Sequence, residues 1–337
     1  MQQNVSGRVA YLDVIRIVAT FGVIALHVFC TEYHSSVGTY HWYVSVVGDS
    51  LVRWSVPLFV MISGALFLQP AKDVSFRILL KKYIPRLLLA YVFWSIAYST
   101  MRAIGYIING RELRLGLLVP HFHLWYIPML IGVYLLIPLL RKIVFEEKLA
   151  RAALLIWIGY LIGCFCKFNQ IPQIGILFNS NSIIGYAGYF VLGYYVSYHN
   201  ISTKQARWIY SLGIIGAIVC VCGNIIVSQI RGISDGTFLG NLGPHVVAMS
   251  LSLFVFIKKT VSTIENKLMK FVEYVRKDLF GIYLTHGIWL IIFNTAIFRD
   301  ICNQLITLPL ITIIIFFFSL FTTKLIRHIP LLHKTVE

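Results

Sequence analysis

Arg16 and His27 lie eleven positions apart in the apolar segment Tyr11–Thr31, YLDVIRIVATFGVIALHVFCT. At about 100° and 1.5 Å per residue, that spacing returns the two side chains to one helix face, roughly 16 Å apart along the axis. Asp13, Thr20 and Thr31 fall near the same line. An imidazole can take the proton of a hydroxyl, and a guanidinium can hold a phosphate or a developing oxyanion. Two readings of this stripe stand. In one, Asp13 and Arg16 form an i,i+3 ion pair, Arg16 snorkels and His27 is a hydrogen-bonded interhelical histidine. In the other, the stripe faces a reaction site. Three ionisable groups on one line of an oily segment favour the second.

Further groups of the same kind occur at depth in other apolar segments. Arg53 precedes Ser55, Val56 and Pro57 in the second segment, where Ser63-Gly64 would let a neighbouring backbone approach closely. Pro57 is expected to bend that helix. The stretch Pro120-His121-Phe122-His123-Leu124-Trp125-Tyr126 opens the fourth segment. His121 there can be solvated, whereas His123 begins the apolar run. Trp125 and Tyr126 suit either an interfacial aromatic belt or a substrate site. In the ninth segment Tyr283 precedes His286 by three positions, and His286 is either a satisfied core histidine or part of the site. Deep Asp and Glu are scarce, which argues against a proton-coupled pump. Imidazole with guanidinium suits a base for a hydroxyl and a cation for an anionic donor or intermediate.

The elements that position these groups are membrane helices. Of the 337 residues, 58% are hydrophobic and 12% charged, about half the charge of a soluble domain. Ten spans are expected, at about 10–31, 43–68, 84–108, 122–145, 151–167, 181–198, 206–229, 241–257, 277–297 and 304–327. The fold class is therefore an all-α polytopic integral membrane protein forming one domain over 1–337. The net charge of +16 does not imply nucleic acid. Most of the 29 lysines and arginines fall in loops on the side of the N-terminus, Arg8 and Lys72 among them. The other side holds Arg102, Arg111, Arg114, Lys167, Arg231 and Arg299, and the remaining two, Arg16 and Arg53, are placed inside spans. This asymmetry predicts that both termini are cytoplasmic. It places Arg16 near the inner third of the membrane and His27 near the outer third. The first segment lacks a small-residue cleavage site and is expected to remain as a start helix. The connection 258–276 is amphipathic and suits the membrane surface. The six cysteines, Cys302 included, read as apolar fillers, because the members of each C-x-C pair point about 200° apart on a helix. No metal is expected.

Four stretches then resemble one family. LDVIRIVATFGVIALH, with ten residues between Arg16 and His27, is followed by VPLFVMISGALF, HLWYIPMLIGVYLLIPLL and GIYLTH in that order. Together they resemble the membrane acyltransferase-3 family, which includes bacterial O-acetyltransferases of surface polysaccharides, in its stand-alone form. The resemblance implies transfer of an acetyl or similar small acyl group from cytoplasmic acetyl-CoA to a carbohydrate hydroxyl, in a bacterial cytoplasmic (inner) membrane. It implies that Arg16 and His27 are the functional arginine–histidine pair and that Arg53 and His286 line the site. His123, Trp125 and Tyr283 are expected to contact substrate, and Asp13 to serve structurally as the partner of Arg16.

On this reading His27 is the general base, Arg16 assists the coenzyme A end, and Arg53 or a histidine of another helix steadies the oxyanion. Direct transfer and an acyl-histidine intermediate both remain open. The acceptor is a glycan or lipid-linked sugar. Ten spans, a polar stripe and a basic inner face also suit an exporter of a glycan or its precursor. A module that senses or anchors a partner enzyme is a third reading, and it needs no arginine–histidine pair.

Overall fold

The structure is a computed structural model that describes residues 10–72, 74–110, 120–166, 183–261, 266–293, 303–330 and 332–336. Arg8, Arg111, Arg114, Lys167, Arg299 and Cys302, and the expected span ends at 167, 181 and 294–297, lie outside the described residues.

Helix α1 (Ala10–Cys30) is followed by α2 (Tyr40–Leu51) and α3 (Ser55–Phe67), two pieces of one long apolar run. Helix α4 (Phe76–Ile108) contains a π-helical turn at Leu79–Tyr83, after its first three residues. Pro85 follows that turn, and a proline ring clashes with the carbonyl four residues back, so the extra residue of a π turn relieves it. A 3-10 turn, Phe122–Trp125, leads into α5 (Tyr126–Leu135). Helix α6 (Ile137–Phe145) continues from α5 after a 56° bend, where Pro138 lies in its first turn. Then come α7 (Glu147–Phe165), α8 (Ile183–Tyr198), α9 (Thr203–Arg231), α10 (Pro244–Thr260), α11 (Asn266–Val275), α12 (Leu279–Ile292) and α13 (Gln304–His328). Helix α9 has well-defined ends. A reciprocal Ser202–Gln205 capping box starts it, and Gly232 at φ +66° stops it.

Among the described residues, seven helices are long and apolar enough to cross a membrane, or eight with the bent α5–α6 pair taken as one span. Two of the ten expected spans are shorter than that length: α8 has 16 residues and α12 has 14. Both pack largely against neighbouring helices, since most of α8 and the first part of α12 are buried. Pro57 lies in the first turn of α3, where a proline costs little, and the chain breaks just before it, at Val52–Trp54.

Helix α1 is central and packs on α2, α3, α10, α12 and α13. Helices α3 and α8 pair closely. A Cβ on Gly64 would lie 1.8 Å from the Phe190 carbonyl oxygen, and one on Gly193 would lie 2.0 Å from that of Met61. The two glycines therefore let the backbones touch, as the Ser63-Gly64 pair predicted for one side. The outward faces of α4, α7, α9 and α13 carry exposed Leu, Ile, Val and Phe, the surface expected of helices in lipid.

Candidate active site

A cavity of ≈ 750 Å³ runs along α1 between α3, α4, α5 and α12. Its size lies within the usual range for small-molecule sites, about 300–1,000 Å³. Arg16, Phe67, Tyr83, Arg86 and Tyr134 line one part; His27, Cys30, Arg53, Phe122 and His123 line another. Apolar residues such as Leu66, Leu87 and Leu130 contribute to the wall, together with Ser63, Tyr126 and Tyr283. The first helix thus presents both members of its polar stripe to a single cavity.

Around His27 the imidazoles gather. Its ring stacks on His286, with centroids 5.4 Å apart and planes 17° apart. Phe122 meets it edge-on at 4.7 Å, and His123 lies 6.5 Å away. His286 is fully buried, and its Nδ1 lies 2.6 Å from the Tyr283 carbonyl oxygen. A carbonyl only accepts, so Nδ1 carries the hydrogen and Nε2 is left with its lone pair. The Tyr283 hydroxyl donates to the His123 carbonyl at 2.6 Å, which pins the Phe122–Trp125 turn to α12. On the other side, Tyr98 of α4 donates to the Leu284 carbonyl at 2.7 Å and stacks on His121 at 4.3 Å. Three separate elements therefore fix the rings around His27. Among the described residues, no group of three or more His, Cys, Asp or Glu is arranged to hold a metal ion.

Arg53 sits in the break between α2 and α3, which turns its guanidinium into the cavity wall. It is ion-paired with Asp49, whose side chain is fully buried, and its Nη1 donates to the Leu239 carbonyl at 2.9 Å. This fixes a charge-compensated cation near His27. The Asp49 partnership is an i,i+4 contact, readable from the spacing once Arg53 is placed on a helix.

At the other end, Arg16 Nη1 lies 3.5 Å from Asp13 Oδ1, the pairing expected of these two residues. The rings of Phe67, Tyr83 and Tyr134 pack beside it, Phe67–Tyr83 at 4.9 Å and Phe67–Tyr134 at 4.7 Å. The Lys72 ammonium stands 3.9 Å from the Phe67 ring centroid. Arg141 donates to the carbonyls of Phe67 (2.9 Å) and Gln69 (3.1 Å), closing the C-terminal end of α3. Burial, then the neighbouring cations Lys82, Arg141 and Arg16, pull the Lys72 pKa down to about 8.

The structure brings together every residue singled out from the sequence, in three different situations. Arg16, His27, Arg53, His123, Trp125 and Tyr283 line the cavity. His286 stands behind the lining residues His27 and His123, its ring 5.4 Å and 4.7 Å from theirs. Asp13 reaches it through Arg16. Trp125 is 41% exposed, consistent with its dual character as wall and interface residue. Sequence reasoning missed Tyr98, Phe122 and Arg86, and allowed His121 to be solvated, whereas it is only 8% exposed. Tyr98 had no signal of its own: an aromatic residue in a lipid-facing helix has no distinguishing pattern.

Comparison with curated proteins gave no match, and comparison with solved structures gave none. A family model described as an acyltransferase domain matches residues 9–327. With that match over nearly its whole length, the chain belongs to the membrane acyltransferase-3 family.

Proposed function

We propose that this membrane acyltransferase moves an acetyl or similar small acyl group from cytoplasmic acyl-CoA to a hydroxyl of a cell-envelope carbohydrate. The proposal includes ten spans in a bacterial inner membrane with both termini cytoplasmic, so that the Arg16 end of the cavity opens inward. One observation carries this reading: a single cavity is lined by Arg16 and by His27, which helix geometry separates by roughly 16 Å. An extended pantetheine arm is long enough to bridge such a distance. The polyanionic head would then sit by Arg16, Arg86 and Lys72, where guanidinium and ammonium groups suit phosphate. The thioester would lie by His27.

In that arrangement His27 takes the proton of the acceptor hydroxyl as its oxygen attacks the thioester carbonyl. The C–O bond forms and the carbonyl electron pair moves onto oxygen. When the carbonyl re-forms, the C–S bond breaks, and His27 returns the proton to the leaving sulfur, giving free CoA. Arg53 supplies a fixed positive field near the developing charge.

The experiment is acyl transfer by the protein reconstituted in liposomes with labelled acetyl-CoA and a sugar acceptor. His27→Ala and His27→Gln should lose about 10²–10⁴ in kcat at normal expression, the usual worth of a positioned general base. Full activity in these variants would overturn the assignment. Glycan flux in the absence of acyl turnover would favour an exporter instead.

A further inference from the structure

His121 is the histidine of this region that the acyl-transfer scheme leaves without a task, and its placement is specific. Its Nδ1 lies 2.8 Å from Nδ1 of His123, inside the protein. Two such nitrogens at that distance share one hydrogen: one donates and the other accepts. The tautomer of His121 therefore dictates the tautomer of His123. If His121 donates, His123 accepts at Nδ1 and must carry its hydrogen on Nε2. If His121 accepts, Nε2 of His123 is a bare lone pair.

The surroundings discriminate between the two. Nε2 of His123 is buried and has no hydrogen-bond partner in the protein, and the same holds for Nε2 of His286. The latter is already a lone pair, because Nδ1 of His286 bonds the Tyr283 carbonyl. The rings of His123 and His286 are 4.7 Å apart. The Leu284 carbonyl, which accepts from Tyr98, also faces the His123 ring as an acceptor. A bare Nε2 on His123 would set three buried acceptors against one another, whereas an N–H there complements the other two. Burial, then the nearby Arg102 guanidinium, disfavours a second proton on His121, so the ring is neutral and one of its two nitrogens is bare. The ring itself is held by its stack on Tyr98 at 4.3 Å.

We infer that His121 is a positioning residue for the transfer: it donates Nδ1–H to His123 and so keeps a hydrogen on His123 Nε2, giving the cluster around His27 an N–H donor for the developing oxyanion. The assignment rests on the acyl-transfer reading proposed above. It adds a donor to the one that Arg53 offers, whose Nη1 and Nη2 are bonded to Leu239 and Asp49 and whose Nε is unpartnered. The electron pair that the thioester carbonyl oxygen gains on attack is then met by His123 Nε2–H, and no proton is transferred from His123.

Two measurements test this on the full chain in liposomes. The first is the nitrogen-15 spectrum of histidine-labelled protein, with His123 assigned by comparison with His123→Gln. Protonated Nε2 and bare Nδ1 on His123 are expected, and a bare Nε2 would overturn the proposal even if acyl transfer is robust. The second compares His121→Asn, whose amide N–H can still donate to His123, with His121→Asp, which only accepts, and His121→Phe, which keeps the stack on Tyr98 without the hydrogen bond. His121→Asn should keep kcat within about threefold of the parent protein. His121→Asp should lose about 10²-fold in kcat, the scale of one oxyanion donor, with both KM values little changed and Nε2 of His123 now bare in the spectrum. An equal loss in all three variants would mean that His121 is only a packing residue. Absence of acyl turnover in the parent protein would overturn the acyl-transfer reading itself, with the tautomer still legible in the spectrum.

Discussion

His286 stacks on His27 with the two ring planes 17° apart and the centroids at 5.4 Å, and its own Nδ1 is tied to the Tyr283 carbonyl. A neutral ring with its lone pair fixed on Nε2 is well suited to lie beside a ring that would become cationic in the proposed proton transfer. His286→Phe keeps the area of the stack and removes the nitrogens. Loss of one interaction with a charged group, about 1.5–3 kcal/mol, should lower kcat by roughly 10- to 100-fold. The donor KM should stay within a factor of two, because His286 is remote from the Arg16 end of the cavity. Steady-state kinetics with varied acyl-CoA would show the split. A raised KM at constant kcat would instead place His286 in donor binding.

Asp13 and Arg16 share one contact and are expected to differ in consequence. Arg16→Ala removes a cavity-lining guanidinium and should raise the donor KM or Kd by about tenfold or more, the value of one charged hydrogen bond. Asp13→Asn only loosens the orientation of Arg16 across a 3.5 Å contact that is partly exposed. Such pairs contribute less than about 1 kcal/mol, so its effect on the same constant should stay below about fivefold. Direct titration of acyl-CoA against the two variants ranks them. Equal effects would make the ion pair, rather than Arg16 alone, the functional unit.

On the acyl-CoA reading proposed above, Lys72 should make donor binding depend on pH. A lysine is charged below its pKa, and the value here is about 8. The attraction of this ammonium for a polyanion should therefore be nearly full near pH 7 and fade as the pH rises through 8. Donor KM should increase between pH 7 and 9. Lys72→Arg keeps a cation over that range and should flatten the rise, while Lys72→Met should show the high-pH KM throughout. A profile identical in Lys72→Arg and the parent would assign the pH dependence to another group.

The sequence made the first helix legible because its stripe needs only local geometry. Arg16, His27 and Asp13 are placed by the turn angle of one helix, and they face where that angle puts them. The Ser63-Gly64 contact was equally local, since a missing Cβ marks a close approach whatever the partner. The His286–His27 stack, the burial of His121 against Tyr98 and the bond from Tyr283 to the His123 carbonyl were not legible. Each joins residues at least 23 positions apart, so each depends on how helices pack rather than on any spacing within one. The count of spans was blurred for a related reason. Hydropathy reports oiliness, and α8 and α12 are oily because they are buried in protein as well as membrane.

Asp49 and Arg53 give the last test, because stability and activity should separate there. The carboxylate is fully buried and the guanidinium 14% exposed, so each compensates the other in a poorly solvated place. Removing one partner leaves a charge whose desolvation is no longer offset, at a cost of about 3 kcal/mol or more; removing both takes away the penalty along with the attraction. Asp49→Ala should therefore lower the thermal midpoint in detergent more than the double variant Asp49→Ala/Arg53→Met does. Activity should follow the opposite order. Asp49→Ala retains the cavity cation and should keep measurable turnover in the folded fraction, while the double variant, although more stable, loses the positive field beside His27 and should fall by at least tenfold in kcat. If the double variant is the less stable of the two, the pair is a net stabilising contact and not a charge held in place for the site. If it is also fully active, Arg53 has no part in the transfer.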